Sequence, residues 1–193
     1  MKSIKITFKL YNLLALLVLI FPLKNTIGQT NDTLISYVSY SLTGPQVNGT
    51  FRVEVDTETK KNHVTNMVYS DATDGQYKIT EIDFMDIENE GGVYFKIPAQ
   101  IGLIELTEMN RDKFAFGIVN DDVTLKARSV SFNIEEVVED KYMKMRLSFI
   151  KGKFEGIMEY KYEDNGEKVE TYTIHGSFQY ISPLYLKKLK SKK

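Results

Sequence analysis

In MKMRLSFIKGKFEGIMEYKYEDNGEKVETYTIHGSFQY, residues 143–180, apolar and polar side chains alternate on both sides of one turn. Met143, Met145, Leu147 and Phe149 share one face, against Lys144, Arg146 and Ser148 on the other. After Lys151-Gly152 the inward set becomes Phe154, Met158, Tyr160 and Tyr162. A repeat of two is that of a strand with one buried face. Asp164-Asn165-Gly166 reverses the chain, because Asn-Gly adopts the positive φ angles that tight hairpins require. The return strand puts Tyr172, Ile174, Phe178 and Tyr180 inward, with Thr171, Thr173, His175, Ser177 and Gln179 outward, and Pro183 closes the sheet. The segment predicts an antiparallel hairpin.

The same period runs upstream, punctuated by turn residues every eight to twelve positions. Leu34, Ser36, Val38, Tyr40 and Leu42 form one face, then Gly44-Pro45 and Asn48-Gly49 turn the chain. Phe51, Val53 and Val55 alternate with Arg52, Glu54 and Asp56. Val64–Tyr69 is a further strand. Tyr77 and Ile79 share a face that Ile82 and Phe84 do not, which predicts a bulge near Glu81. Val93, Phe95 and Ile97 lead to Pro98, and Ile101–Leu106 is a short strand. Phe114, Phe116 and Ile118 make the next face. Val123, Leu125 and Ala127 follow, and the inward phase then shifts to Val130, Phe132 and Ile134. Glu135–Lys141 reads as one or two helical turns or as an acidic loop.

One element recurs: Gly49-Thr50-Phe51, Gly152-Lys153-Phe154 and Gly176-Ser177-Phe178. A glycine two residues before an inward Phe suits a bulge or sharp twist that curls the sheet, with the ring filling the core beside it. With Gly152-Lys153-Phe154-Glu155-Gly156 and Ile174-His175-Gly176-Ser177-Phe178 behind a signal peptide, the chain resembles small secreted or envelope β-sandwich domains of Gram-negative bacteria that have no assigned activity. The resemblance implies a fold and an envelope location, and carries no catalytic residue. Many such domains are lipoproteins; this chain has no cysteine to carry that anchor.

Export is read from the first thirty residues. Lys2, Lys5 and Lys9 precede an uncharged apolar run from Leu10 to Leu23, and Ile27-Gly28 offers a small residue before Gln29. This is the three-part build of a secretory signal peptide, and the apolar run is shorter than the roughly 20 residues of a spanning helix. The 193-residue total hides an uneven charge. It carries 25 basic and 26 acidic residues, but residues 29–186 hold 16 basic against 26 acidic, and five lysines crowd into 187–193. An acidic body argues against nucleic acid, which selects a basic face. The Lys187–Lys193 tail suits weak contact with an anionic surface.

Chemistry is sparsely marked. Without cysteine there is no disulfide, thiolate nucleophile or iron–sulfur cluster, and two histidines fall short of a zinc set. His63 sits beside Lys60 and Lys61, and His175 is on an outward face; no G-x-S-x-G elbow accompanies either. Asp71-x-x-Asp74-Gly75, Asn120-Asp121-Asp122 and Glu163-Asp164-Asn165-Gly166 are oxygen-rich, but none spells a calcium loop, and these residues are ordinary turn formers. No phosphate loop or dinucleotide fingerprint is present.

These observations predict an all-β chain: a single antiparallel β-sandwich or curled β-barrel of eight to ten strands over 29–186, behind a signal peptide at 1–28 and before a basic tail at 187–193. No catalytic, cofactor-binding or metal-binding residue is assigned, and no cofactor is expected. The expected function is that of a secreted, non-catalytic binding or structural module of the periplasm, outer envelope or extracellular space, with a protein or envelope component as partner. A small barrel carrying an apolar ligand and a carboxylate-based hydrolase are the alternatives. The interior separates the three: filled for a module, hollow for a carrier, cleft by convergent acids for an enzyme. Intact-mass measurement of the exported protein is expected to show a chain beginning at Gln29; a mass that retains residues 1–28 overturns the cleavage reading.

Overall fold

The computed structural model describes residues 34–55, 62–70, 78–120, 123–141, 146–163 and 167–191. The signal segment, Tyr77, Asp121, Asp122, Met143, Met145 and the turns at 71–75 and 164–166 lie outside the described residues. The strands are β1 (Ser36–Thr43), β2 (Asn48–Val55), β3 (Asn62–Ser70), β4 (Lys78–Asp86), β5 (Gly91–Pro98), β6 (Gly102–Leu106), β7 (Ala115–Asn120), β8 (Val123–Glu139), β9 (Leu147–Glu163) and β10 (Glu167–Ile181), followed by one helix, α1 (Pro183–Lys190).

All ten strands join one antiparallel sheet, in the order β2-β1-β10-β9-β8-β7-β5-β4-β3, with β6 also on β8. Of the two architectures read from the sequence, this is the curled barrel. Strand twist accumulates across so broad a sheet until its ends approach. They meet where Asn62 Nδ2, at the start of β3, donates to the Glu54 carbonyl of β2 at 3.0 Å. The hairpin of residues 147–181 is its spine, with β9 and β10 paired from Phe149↔Ile181 to Glu163↔Glu167 without a shift.

β8 explains the shifted phase. Along one edge it pairs first with β7, at Val123–Lys126, and then with β6, at Val130–Ile134. A bulge against β9 between Ala127 and Ser129 changes which side chains face inward. A second, between Ile134 and Glu136, corrects the reading of Glu135–Lys141 as helix or acidic loop: β8 continues to Glu139. Val137 packs on the main core there and Val138 on the opposite face, so β-branched neighbours are covered on both sides of a strand.

Three other expectations need correction. No bulge interrupts β4, whose pairing with β3 and β5 runs in continuous register. Instead Thr80 takes the inward position, accepting from Asn66 Nδ2 at 2.6 Å, while Ile79 is buried on the other face, opposite Pro98 in register. Phe149 does not share the face of Leu147. The irregularity in β8–β9 pairing between Val138 and Glu139 turns it outward, where it packs with Ile181 and Leu186 under α1. Gln179 faces outward but is buried, its amide donating to the Ile35 carbonyl at 2.8 Å. Pro183 opens α1 after the Ser182 cap, so Lys187, Lys188 and Lys190 of the basic tail form a last helical turn.

The interior is filled by side chains from all ten strands. At its centre the fully buried Phe95 ring stacks on Phe178 at 4.8 Å and on Phe116 at 5.1 Å, with Phe132 and Phe154 edge-on. Two glycines make room for these rings. Register pairs Gly152 with Phe178 and Phe154 with Gly176. A Cβ on Gly176 would lie 2.6 Å from Phe154 Cζ and 2.5 Å from the Ser39 carbonyl oxygen; one on Gly152 would lie 3.0 Å from Phe178 Cε1. The recurrent glycine thus supplies space under the neighbouring strand's ring, and no bulge occurs between β9 and β10. The third copy, Gly49, is exposed on an end strand and has ordinary clearance. Gly176→Ala is therefore expected to cost about 1–3 kcal/mol in urea unfolding, as overpacking does, and Gly49→Ala to stay within about 0.5 kcal/mol. Equal effects would refute the ring-and-glycine account.

Candidate functional site

With phenylalanine rings filling the middle of the barrel, its usable concavities lie at the margins of the core. One cleft of about 550 Å³ opens at a single end, where β1 and β3 start, β2 and β10 stop, and α1 crosses. Val55, Val64, Ile181 and Leu186 contribute apolar surface, and Asn62, Thr65 and Asn66 contribute amides and a hydroxyl. Among the described residues, its charged or titratable lining is Arg146, Lys190 and His63, with the Tyr180 phenol and without an Asp or Glu. Burial raises the pKa of Tyr180, while the Arg146 charge opposes that shift and Asp140 reinforces it.

The cleft is built by constraints that hold its walls. Asn66 accepts from the Leu147 backbone N–H at 2.8 Å and donates to Thr80 Oγ1 and the Glu81 carbonyl, so β3 grips the first residue of β9 beside Arg146. Ser36 Oγ donates to the Ile181 carbonyl at 3.2 Å and accepts from its N–H at 3.0 Å, tying the start of β1 to the end of β10. α1 is pinned by Leu186 on Phe149 and Ile181, with Tyr185 and Leu189 alongside. Backbone and helix are fixed, whereas Arg146, Lys190 and His63 stand exposed at the mouth. Such a set can hold an anion; it offers no paired nucleophile and base.

Three other hollows differ in character. Where β6 and β7 part along β8, Tyr94, Leu106, Phe114 and Phe116 line a mainly apolar recess of about 450 Å³, with Arg111, Lys126 and Glu159 also on it. A second, of about 690 Å³, lies between β2 and the β4–β5 turn and carries Asp86, Glu88, Glu90 and Arg52. Burial there, with Asp86 nearby, pushes the Tyr40 phenol up to about 12. The last, of about 500 Å³, is on the outer face of β3 and β4, where burial raises the Asp83 carboxyl above its ordinary value.

The two histidines separate. His63 reaches the cationic cleft; His175 stays on the exposed outer face of β10. Register sets Ser41 and Glu155 on either side of His175, the residue types of a hydrolytic triad. The Ser41 hydroxyl is engaged by Thr50 at 3.0 Å, however, and neither Ser41 nor His175 lines any of the four hollows. A triad needs its bonds and a substrate cleft as well as its residue types. Among the described residues, no group of three His, Asp or Glu side chains is placed to hold a metal. Sequence reading missed Arg146 and Lys190, which pattern alone placed on a strand's polar face and in a tail; only the curl of the sheet makes them neighbours of one cleft. The chain matches no protein-family model, no curated protein and no solved structure.

A half-exposed carboxylate stands at the far end of the barrel. Glu170 accepts from Gln46 Nε2 at 2.9 Å, Tyr172 Oη at 2.8 Å and Tyr162 Oη at 3.3 Å. These donors, Gln46 first, hold its pKa below the ordinary value of 4.5. A depressed pKa stabilises the fold above the unfolded value and ceases to do so as pH falls through the folded one. The difference in Tm between the wild-type chain and Glu170→Gln is therefore expected to be constant above pH 6 and to change below about pH 4.5 as the wild type loses this contribution. A difference independent of pH would show that the donors do not favour the ionised form.

Proposed function

We propose that this chain is an exported, non-catalytic recognition module of the cell envelope or extracellular space, which engages its ligand or partner on the outside of the barrel. One observation carries the reading: a cluster of phenylalanines fills the middle of the barrel, so binding falls to the concavities at its ends and on its outer face. The signal-peptide pattern and the resemblance to secreted envelope domains support the location, and the charge segregation supports a polar contact. A second reading, carriage of a small apolar ligand, is favoured by the aromatic recess between β6 and β7.

Photo-crosslinking in the exporting cell tests this. A benzophenone amino acid at Thr65, beside the cleft, is expected to give a discrete adduct, and one at Thr171, on the exposed outer face of β10, none. Adducts from neither position, or equally from both, would overturn recognition at the rim. In native mass spectrometry of the same protein, a hydrophobic molecule retained one to one, lost on Phe114→Asp and kept on Arg146→Glu, would establish the carrier in its place.

A further inference from the structure

We infer that the cleft between β3, β10 and α1 binds a monomeric anionic amphiphile: one carboxylate or phosphate head on an alkyl chain. This rests on the recognition-module reading and names the ligand class of its cleft. The first ground is charge. Acids outnumber bases by ten over residues 29–186, yet among the described residues the cleft lining presents Arg146, Lys190 and His63 and no carboxylate. In a domain so rich in acids, Arg146 and Lys190 on one lining are the complement of an anionic head, even with Asp140 near Tyr180 and with Glu81 and Asp83 on the neighbouring hollow that Arg146 also borders. The two cations come from the residue before β9 and from the end of α1, with His63 of β3 beside them, so their convergence is a product of the curled fold.

The second ground is the wall. Ile181 and Leu186 form a buried floor, with half-buried Val55 and Val64 beside it. Exposed cations are screened and attract weakly, so a bare anion gains little against the net negative charge of the domain. An alkyl chain adds burial of apolar surface, and the cleft volume of about 550 Å³ is of the size that small-molecule sites use. Neither half suffices without the other. The apolar recess between β6 and β7 differs in carrying Glu159 beside its cations.

Titration calorimetry of the exported chain with ten-carbon probes below their micelle concentrations tests the assignment. Decanoate and decyl phosphate are expected to bind one to one, decanol at least tenfold more weakly, and decyltrimethylammonium not at all. Arg146→Glu and Lys190→Glu, both at exposed positions, are expected to weaken decanoate at least tenfold together while leaving Tm unchanged. Decanol binding as tightly as decanoate, inorganic phosphate binding as tightly as decyl phosphate, or indifference to both substitutions would each overturn the proposal. So would sedimentation with phosphatidylglycerol vesicles that decanoate does not compete, since the cations would then be reading a membrane surface. Failure of every probe rejects the amphiphile alone, because crosslinking at Thr65 judges the recognition module independently.

Discussion

The exchange between β9 and β10, in which each strand's glycine lies beneath the other's phenylalanine, is the contact on which the rest of the barrel depends. Phe178 lies over Gly152 and Phe154 over Gly176, on inward positions of the longest hairpin. Each glycine leaves free the space that a Cβ would take from the neighbouring strand's ring, and the sheet can curl around the rings. Phe95, from the far side of the strand order, stacks directly on Phe178. Aromatic contacts of this kind add about 0.5–1.5 kcal/mol each beyond the area they bury, and Phe95 makes five of them. Strands distant in order are thereby joined through the middle of the barrel, where no backbone hydrogen bond can reach.

A core so filled moves any recognition to the ends and the outer wall. The two ends are finished differently. At one, Glu170 gathers the donors of Gln46, Tyr162 and Tyr172. At the other, Asn66 and Ser36 satisfy the strand termini with side chains, and α1 lies across outward-facing apolar residues. Covering Phe149 and Ile181 with a helix leaves a step beside the barrel, and the cationic cleft is that step. Its shape is thus a consequence of how the sheet terminates.

Much of the fold was legible because a half-buried strand writes its environment into alternate residues. Val93, Phe95 and Ile97, or Tyr172, Ile174 and Phe178, declare the inward face without ambiguity, and the phase change between Ala127 and Val130 marked a real bulge. The failures share a cause. Alternation assumes one covered face, but Phe149, Val138 and Gln179 lie where the second face is covered too, by α1 or by the approach to β1. Ile79 and Thr80 invert the expected pattern because a hydrogen bond from Asn66 makes an inward hydroxyl acceptable. Glu135-Glu136 resembled a polar loop because charged side chains on an outer face look the same in sequence as those of a turn.

The sequence by itself determined the strand repeat, the inward set that becomes the core, the glycine–phenylalanine spacing and the separation of an acidic body from terminal lysines, since each is a property of neighbours within about ten residues. Tertiary structure alone decided that the sheet curls until its end strands approach instead of splitting in two, that α1 buries the second face of β9 and β10, and that Arg146, Lys190 and His63 share one cleft. Those outcomes depend on residues far apart in the chain meeting through the curl of a twisted sheet, and local alternation carries no record of such meetings.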